Sequence, residues 1–181
     1  QMSRHLWLYE GMTEYFAIHM PVKQGRQTVD EFLAVVNEKI CMMRKFPDDM
    51  ALTTLSQQAM EQQDQYYNFY LKGTLFCMGL DIALRERSNG KYGVQQLIQD
   101  LQKQYGPGTP FKDEELFSTI AGLTGPEIGD LLQRHLNEPG ALPLAEWLGK
   151  AGIALDDNGR PTVLPEPTKQ QVRLRIWWLS R

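Results

Sequence analysis

The chain has 181 residues, 42% of them hydrophobic and 23% charged, which suffices for one substantial core and matches an ordinary globular domain. Its formal net charge is -3, with Lys and Arg scattered along the sequence, so nucleic acid is excluded as an expected partner. No apolar run approaches the roughly 20 residues that span a bilayer. Gln1 opens directly on a helix-like pattern, so a piece of a longer protein is expected, its natural start and any leader lying upstream.

Leu6, Trp7, Tyr9, Tyr15, Phe16 and Ile18 recur at mixed helical spacing, which predicts a first helix over residues 6–20, ended by Pro21 and Gly25. Thr28 followed by Glu31 is a capping box, and Phe32, Leu33, Val36 and Ile40 carry the stripe of a second helix that stops before Pro47. Residues 52–65, rich in Gln and anchored by Leu55, Ala59 and Met60, predict a loop with a short helix. Residues 70–86 are apolar on nearly every face, the pattern of a central helix. Arg85 and Arg87 suit its last turn, and Asn89-Gly90 suits its left-handed stop.

Three amphipathic segments follow at 94–105, 114–123 and 126–136, with Thr124 as the cap of the third. A short helix at 143–151 ends at Gly152, and residues 153–155 and 172–179 are β-like, separated by a Pro-rich linker. The expected fold is all-α: an antiparallel helical bundle over residues 1–155 with a short β segment at the C-terminus. Residues 156–181 are expected to be a linker and the start of a following domain.

Glu10 sits among bulky apolar side chains, with Gly11 beside it to admit another backbone. Burying an unpaired carboxylate costs several kcal/mol, so Glu10 needs a cation or donors unless it is a partly exposed residue at a helix start. Cys41 and Cys77 lie in apolar surroundings without metal or redox spacing and are expected to be buried free thiols. His5, His19 and His135 are never four residues apart, so no HExxH motif can be built from them, and each is expected on the surface or in the core.

The string WLYEGMTEYF resembles the segment W-x-x-E-G-x-T-x-Y that follows HExxH in the glycyl-aminopeptidase family of zinc metallopeptidases, and is similar to the WLNEGFA-type segment of larger zinc aminopeptidases. A second string, Tyr66-Tyr67-Asn68-Phe69-Tyr70-Leu71-Lys72-Gly73 followed by TLFCMGLDIALRERSNG, resembles the family's Y-x-K-G start of a long apolar helix ending in L-D-x-x-[IL]-R. LAEWLGKAGIAL is similar to the helix that precedes the family's PDZ domain. The resemblance covers residues 6–155. HMPVKQG departs from the usual L-x-R-x-G, and HExxH itself is absent.

This resemblance implies the helical C-terminal half of a thermolysin-like gluzincin domain. Glu10 would be the third zinc ligand, completing a site whose two His and catalytic Glu come from a missing N-terminal half. Tyr70 would donate a hydrogen bond where an oxyanion develops; Tyr67 is the alternative if the alignment slips from its Lys72-Gly73 anchor. Glu10 and Tyr70 should then open onto one shared concave face. The family further implies a peptide substrate with a small first residue, such as Gly or Ala, and a periplasmic or cell-envelope setting. Alone, the chain should hold no zinc and cleave nothing, and it should self-associate through a cleft face left bare at Trp7, Tyr9 and Met12. The rival reading is a non-catalytic helical scaffold in which Glu10 and Tyr70 are structural.

Overall fold

A computed structural model describes residues 2–106 and 108–180. In chain order, a π-turn at Trp7–Gly11 leads into α1 (Met12–Lys23), α2 (Val29–Met43) and α3 (Leu52–Gln57). The long α4 (Tyr66–Ser88) follows, then α5 (Val94–Gln104), α6 (Leu116–Thr124), α7 (Pro126–Leu136) and α8 (Leu144–Lys150). A hairpin of β1 (Ile153–Leu155) and β2 (Pro161–Val163) precedes α9 (Lys169–Leu179). Its strands are antiparallel, with Ile153 opposite Val163 and Leu155 opposite Pro161. The chain is thus helical with one short two-stranded sheet, the architecture that the hydrophobic pattern predicts.

The core forms around α4 because its side chains are apolar on every face and most of those between Asn68 and Arg85 are buried. The π-turn and helices α1, α2, α3, α5, α7, α8 and α9 all pack against it. One of these crossings, that of the π-turn on α4, is made by two glycines. A Cβ added to Gly11 would stand 2.7 Å from the carbonyl carbon of Gly73, so a side chain there would push the π-turn off α4. Local chemistry fixes the ends as expected in two places. Thr28 and Glu31 exchange the two bonds of a capping box, and Asn89 takes the left-handed conformation, φ 53°, that stops α4.

Other expectations are corrected. The first helix runs through Pro21 to Lys23: proline sits in its last turn, where the lost donor and ring clash disturb one bond only, and its carbonyl accepts from the Arg26 and Gln27 amides. The central helix begins one turn early, at Tyr66. Thr124 does not cap the third amphipathic helix: its hydroxyl donates to the Ile120 carbonyl inside α6, and α7 starts from Gly125, φ 109°, with Pro126 in its first turn. Residues 172–179 form a helix and no strand, since Thr168 and Gln171 make a capping box and Leu174, Trp178 and Leu179 are buried at helical spacing. Cys77 is buried, but Cys41 is exposed on the outer face of α2; both are free. Trp7 and Met12 lie in the core and only Tyr9 is open, so the bare apolar face expected of them shrinks to one ring.

Candidate functional site

Glu10 sits in the π-turn, where the Met12 amide donates to the Trp7 carbonyl five residues back. One widened turn followed by α-helix explains the mixed spacing of the apolar residues, and such turns recur at functional sites. The turn sends Trp7 fully into the core, leaves Tyr9 about half exposed, and holds Glu10 half-buried between them. Tyr70 is half-buried one turn into α4, stacked on Phe69 at 4.4 Å and flanked by Tyr66 at 5.9 Å and Tyr67 at 6.2 Å between ring centres.

The Tyr70 phenol is pushed up to about 12, first by burial, then by the neighbouring Tyr66 hydroxyl and the charge of Glu10. The charge of Glu10 thus reaches the Tyr70 phenol, which stays protonated far above neutrality. Tyr67 stands outside this group, half exposed.

The Lys72-Gly73 pair beyond Tyr70 is an architectural anchor. Lys72 buries its ammonium, which donates to Asp48 at 2.8 Å and to the Gly140 carbonyl at 2.8 Å, tying α4 to two loops. At the start of α4 two acceptors, Asn68 Oδ1 in its first turn and Oε1 of Gln65 just before it, are buried without a partner among the described residues. Sequence reading passed over both, because nothing in their spacing distinguishes them from helix-start polar residues.

The histidines are engaged elsewhere. His5 donates from Nε2 to the Asp113 carbonyl and accepts the Trp7 indole at Nδ1; His19 donates from Nε2 to the Trp178 carbonyl; His135 stands edge-on to Trp147. Burial holds all three below the usual imidazole value. No group of three or more His, Cys, Asp or Glu among the described residues is placed to hold a metal. Glu10 fits as one hard oxygen ligand, and the chain's own residues do not complete a zinc site.

Residues 1–76 match the family of M61 glycyl aminopeptidases. That stretch contains both the WLYEGMTEYF string and the Tyr70-Leu71-Lys72-Gly73 string, so the glycyl-aminopeptidase resemblance is shown where Glu10 and Tyr70 lie. Beyond it, the fold is similar to that of an aminopeptidase N family protein from Idiomarina loihiensis, with a TM-score of 0.75 at 22% identity. The similarity covers 93% of this chain and 31% of that one, so the chain spans about a third of its structural neighbour. No curated protein matches the sequence.

Proposed function

We propose that this chain is the helical half of a zinc-dependent aminopeptidase domain, in which Glu10 is the third zinc ligand and Tyr70 the phenol that stabilises the developing oxyanion. The observation that supports this best is a half-buried carboxylate presented by a π-turn whose charge reaches a phenol held protonated chiefly by burial, both inside the stretch that matches the family. Zinc held by Glu10 and two imidazoles from a preceding segment would supply Lewis acidity to a peptide carbonyl.

This chain's own contribution is positional. Gly11 against Gly73 fixes the distance between the π-turn and α4, and the Lys72 ammonium pins α4 along its axis. Tyr70, protonated at neutral pH, donates a hydrogen bond to the carbonyl oxygen as charge collects there. The peptide substrate, the small first residue and the N-terminal partner half carrying HExxH belong to this reading. So does a helical subdomain that begins in 1–155 and includes β2 and α9, which pack on α1, α2 and α4, with a PDZ-type neighbour following it. The test is the intact protein, assayed for zinc content and for cleavage of glycyl and alanyl arylamides. Stoichiometric zinc with chelator-sensitive cleavage is expected; an intact protein with neither restores the scaffold reading. The isolated chain is expected to cleave nothing.

A further inference from the structure

A cavity of about 610 Å³ opens between the π-turn, α1, α5 and the loop that leads into α6. Neither Glu10 nor Tyr70 lines it. Its volume lies in the range of sites that enclose a small ligand. The walls are apolar: Leu8, Met12 and Phe16 on one side, Ile98 and Leu101 on the other. The mouth is aromatic, with Tyr9 stacked on Phe111 at 6.2 Å and Tyr105 edge-on to Phe111 at 5.9 Å.

Most charged and hydroxyl groups at the rim have partners already, while the Tyr9 hydroxyl and the Gln102 amide are uncharged. Thr13 donates to the Tyr9 carbonyl, and the two Asp113 oxygens accept from the Ser3 hydroxyl and the Arg4 amide. No free charge is directed inward, so a charged ligand group would lose its hydration without compensation, whereas an apolar one gains by burial. Tyr9 at the mouth is the residue next to Glu10, so a peptide held at Glu10 can place a neighbouring side chain here.

We infer that this cavity is a subsite for a large apolar side chain, aromatic by preference, of a peptide ligand. The inference rests on the aminopeptidase reading of Glu10 for what brings the peptide there. A subsite this size has no use for glycine, so the side chain it takes belongs to a position other than a small first residue.

The experiment is a titration of the full 181-residue chain with N-acetyl-phenylalanine amide and N-acetyl-glycine amide, followed by methyl NMR. Shifts confined to the Met12, Ile98 and Leu101 methyls are expected with the phenylalanine amide, with apparent affinity at least about tenfold weaker for the glycine amide. Ile98, only half-buried, can be enlarged: Ile98→Trp should abolish the shifts without lowering Tm, and Thr13→Trp at the exposed rim should do the same if the first variant misfolds. Unmoved methyls, equal response to both amides, or binding that survives these variants would overturn the inference. So would an intact protein whose cavity is closed to the phenylalanine amide by another of its own segments. The titration contains no metal, so its failure leaves the Glu10 assignment standing, and loss of that assignment leaves the titration result standing.

Discussion

The π-turn with α1 and the helix α4 meet twice, and the two meeting places differ in how their polar groups are satisfied. At the far end Asp81 is fully buried. It accepts from the Tyr15 hydroxyl at 2.7 Å, from Arg85 at 3.0 Å and from the Val94 amide at 3.0 Å. Arg85, His19 and Lys23 in turn donate to the last carbonyls of α9, and the Trp178 indole donates to the Tyr15 hydroxyl. At the near end Glu10 and Tyr70 are half-buried and the charge of Glu10 reaches the phenol, while two acceptors at the start of α4 lack partners among the described residues. The far cluster is closed by hydrogen bonds among α1, α4, α5 and α9, with His19 Nδ1 its one buried atom lacking a partner among the described residues; Glu10 and Tyr70 join no such network. The family-like motif L-D-x-x-[IL]-R supplies the closed cluster, and the E-G and Y-x-K-G strings supply the open one.

The sharpest way to break this contrast is at the closed end. Asp81→Ala leaves the Arg85 guanidinium buried without its carboxylate, and should cost about 3–5 kcal/mol, read as a lower urea midpoint. A loss below about 1 kcal/mol would mean the cluster does not hold α9 in place. Gly11→Ala comes next, at about 1–3 kcal/mol, because the added methyl meets the Gly73 backbone and no flexible side chain can move aside.

Acid probes the fold more gently, at the closed end through His19 and elsewhere through His5 and His135. His5, His19 and His135 titrate below 6.5 in the folded chain, chiefly through burial, and near 6.5 when unfolded. The unfolded chain therefore binds more protons below that value. Stability is full above about pH 6.5 and falls as pH drops from there toward the lowered folded values. Urea midpoints measured from pH 7.5 to 5.5 should decline, and His19→Gln should flatten the decline.

The smallest effects are expected at the open end. Glu10→Gln should leave stability within about 0.5 kcal/mol, since the carboxylate is half-exposed and closes no network. It should also lower the Tyr70 phenol from about 12, seen by ultraviolet titration, by removing the neighbouring charge. An unchanged phenol titration would separate the two groups and undo the pairing.

What the sequence showed and hid follows from these clusters. The central helix, the Thr28 capping box and the Asn89 stop were readable because their signals lie within a few residues. The Glu10 and Tyr70 candidates were readable only through resemblance, since nothing in a separation of 60 residues announces contact. The π-turn was visible only as irregular spacing. α9 looks β-like in the sequence because Val172, Leu174, Ile176 and Trp178 alternate in apolar character, a period-2 pattern. Its helical form is set by the Thr168 cap and by donors from α1 and α4 that no local window contains.

The most direct test of the central claim compares two variants of the intact protein. Glu10→Gln should lose zinc and activity together. Tyr70→Phe should keep its zinc and lose about 10² to 10³ in kcat, with KM little changed, as expected when only a transition-state hydrogen bond is removed. Full zinc content in Glu10→Gln, or unimpaired kcat in Tyr70→Phe, would contradict the assignment.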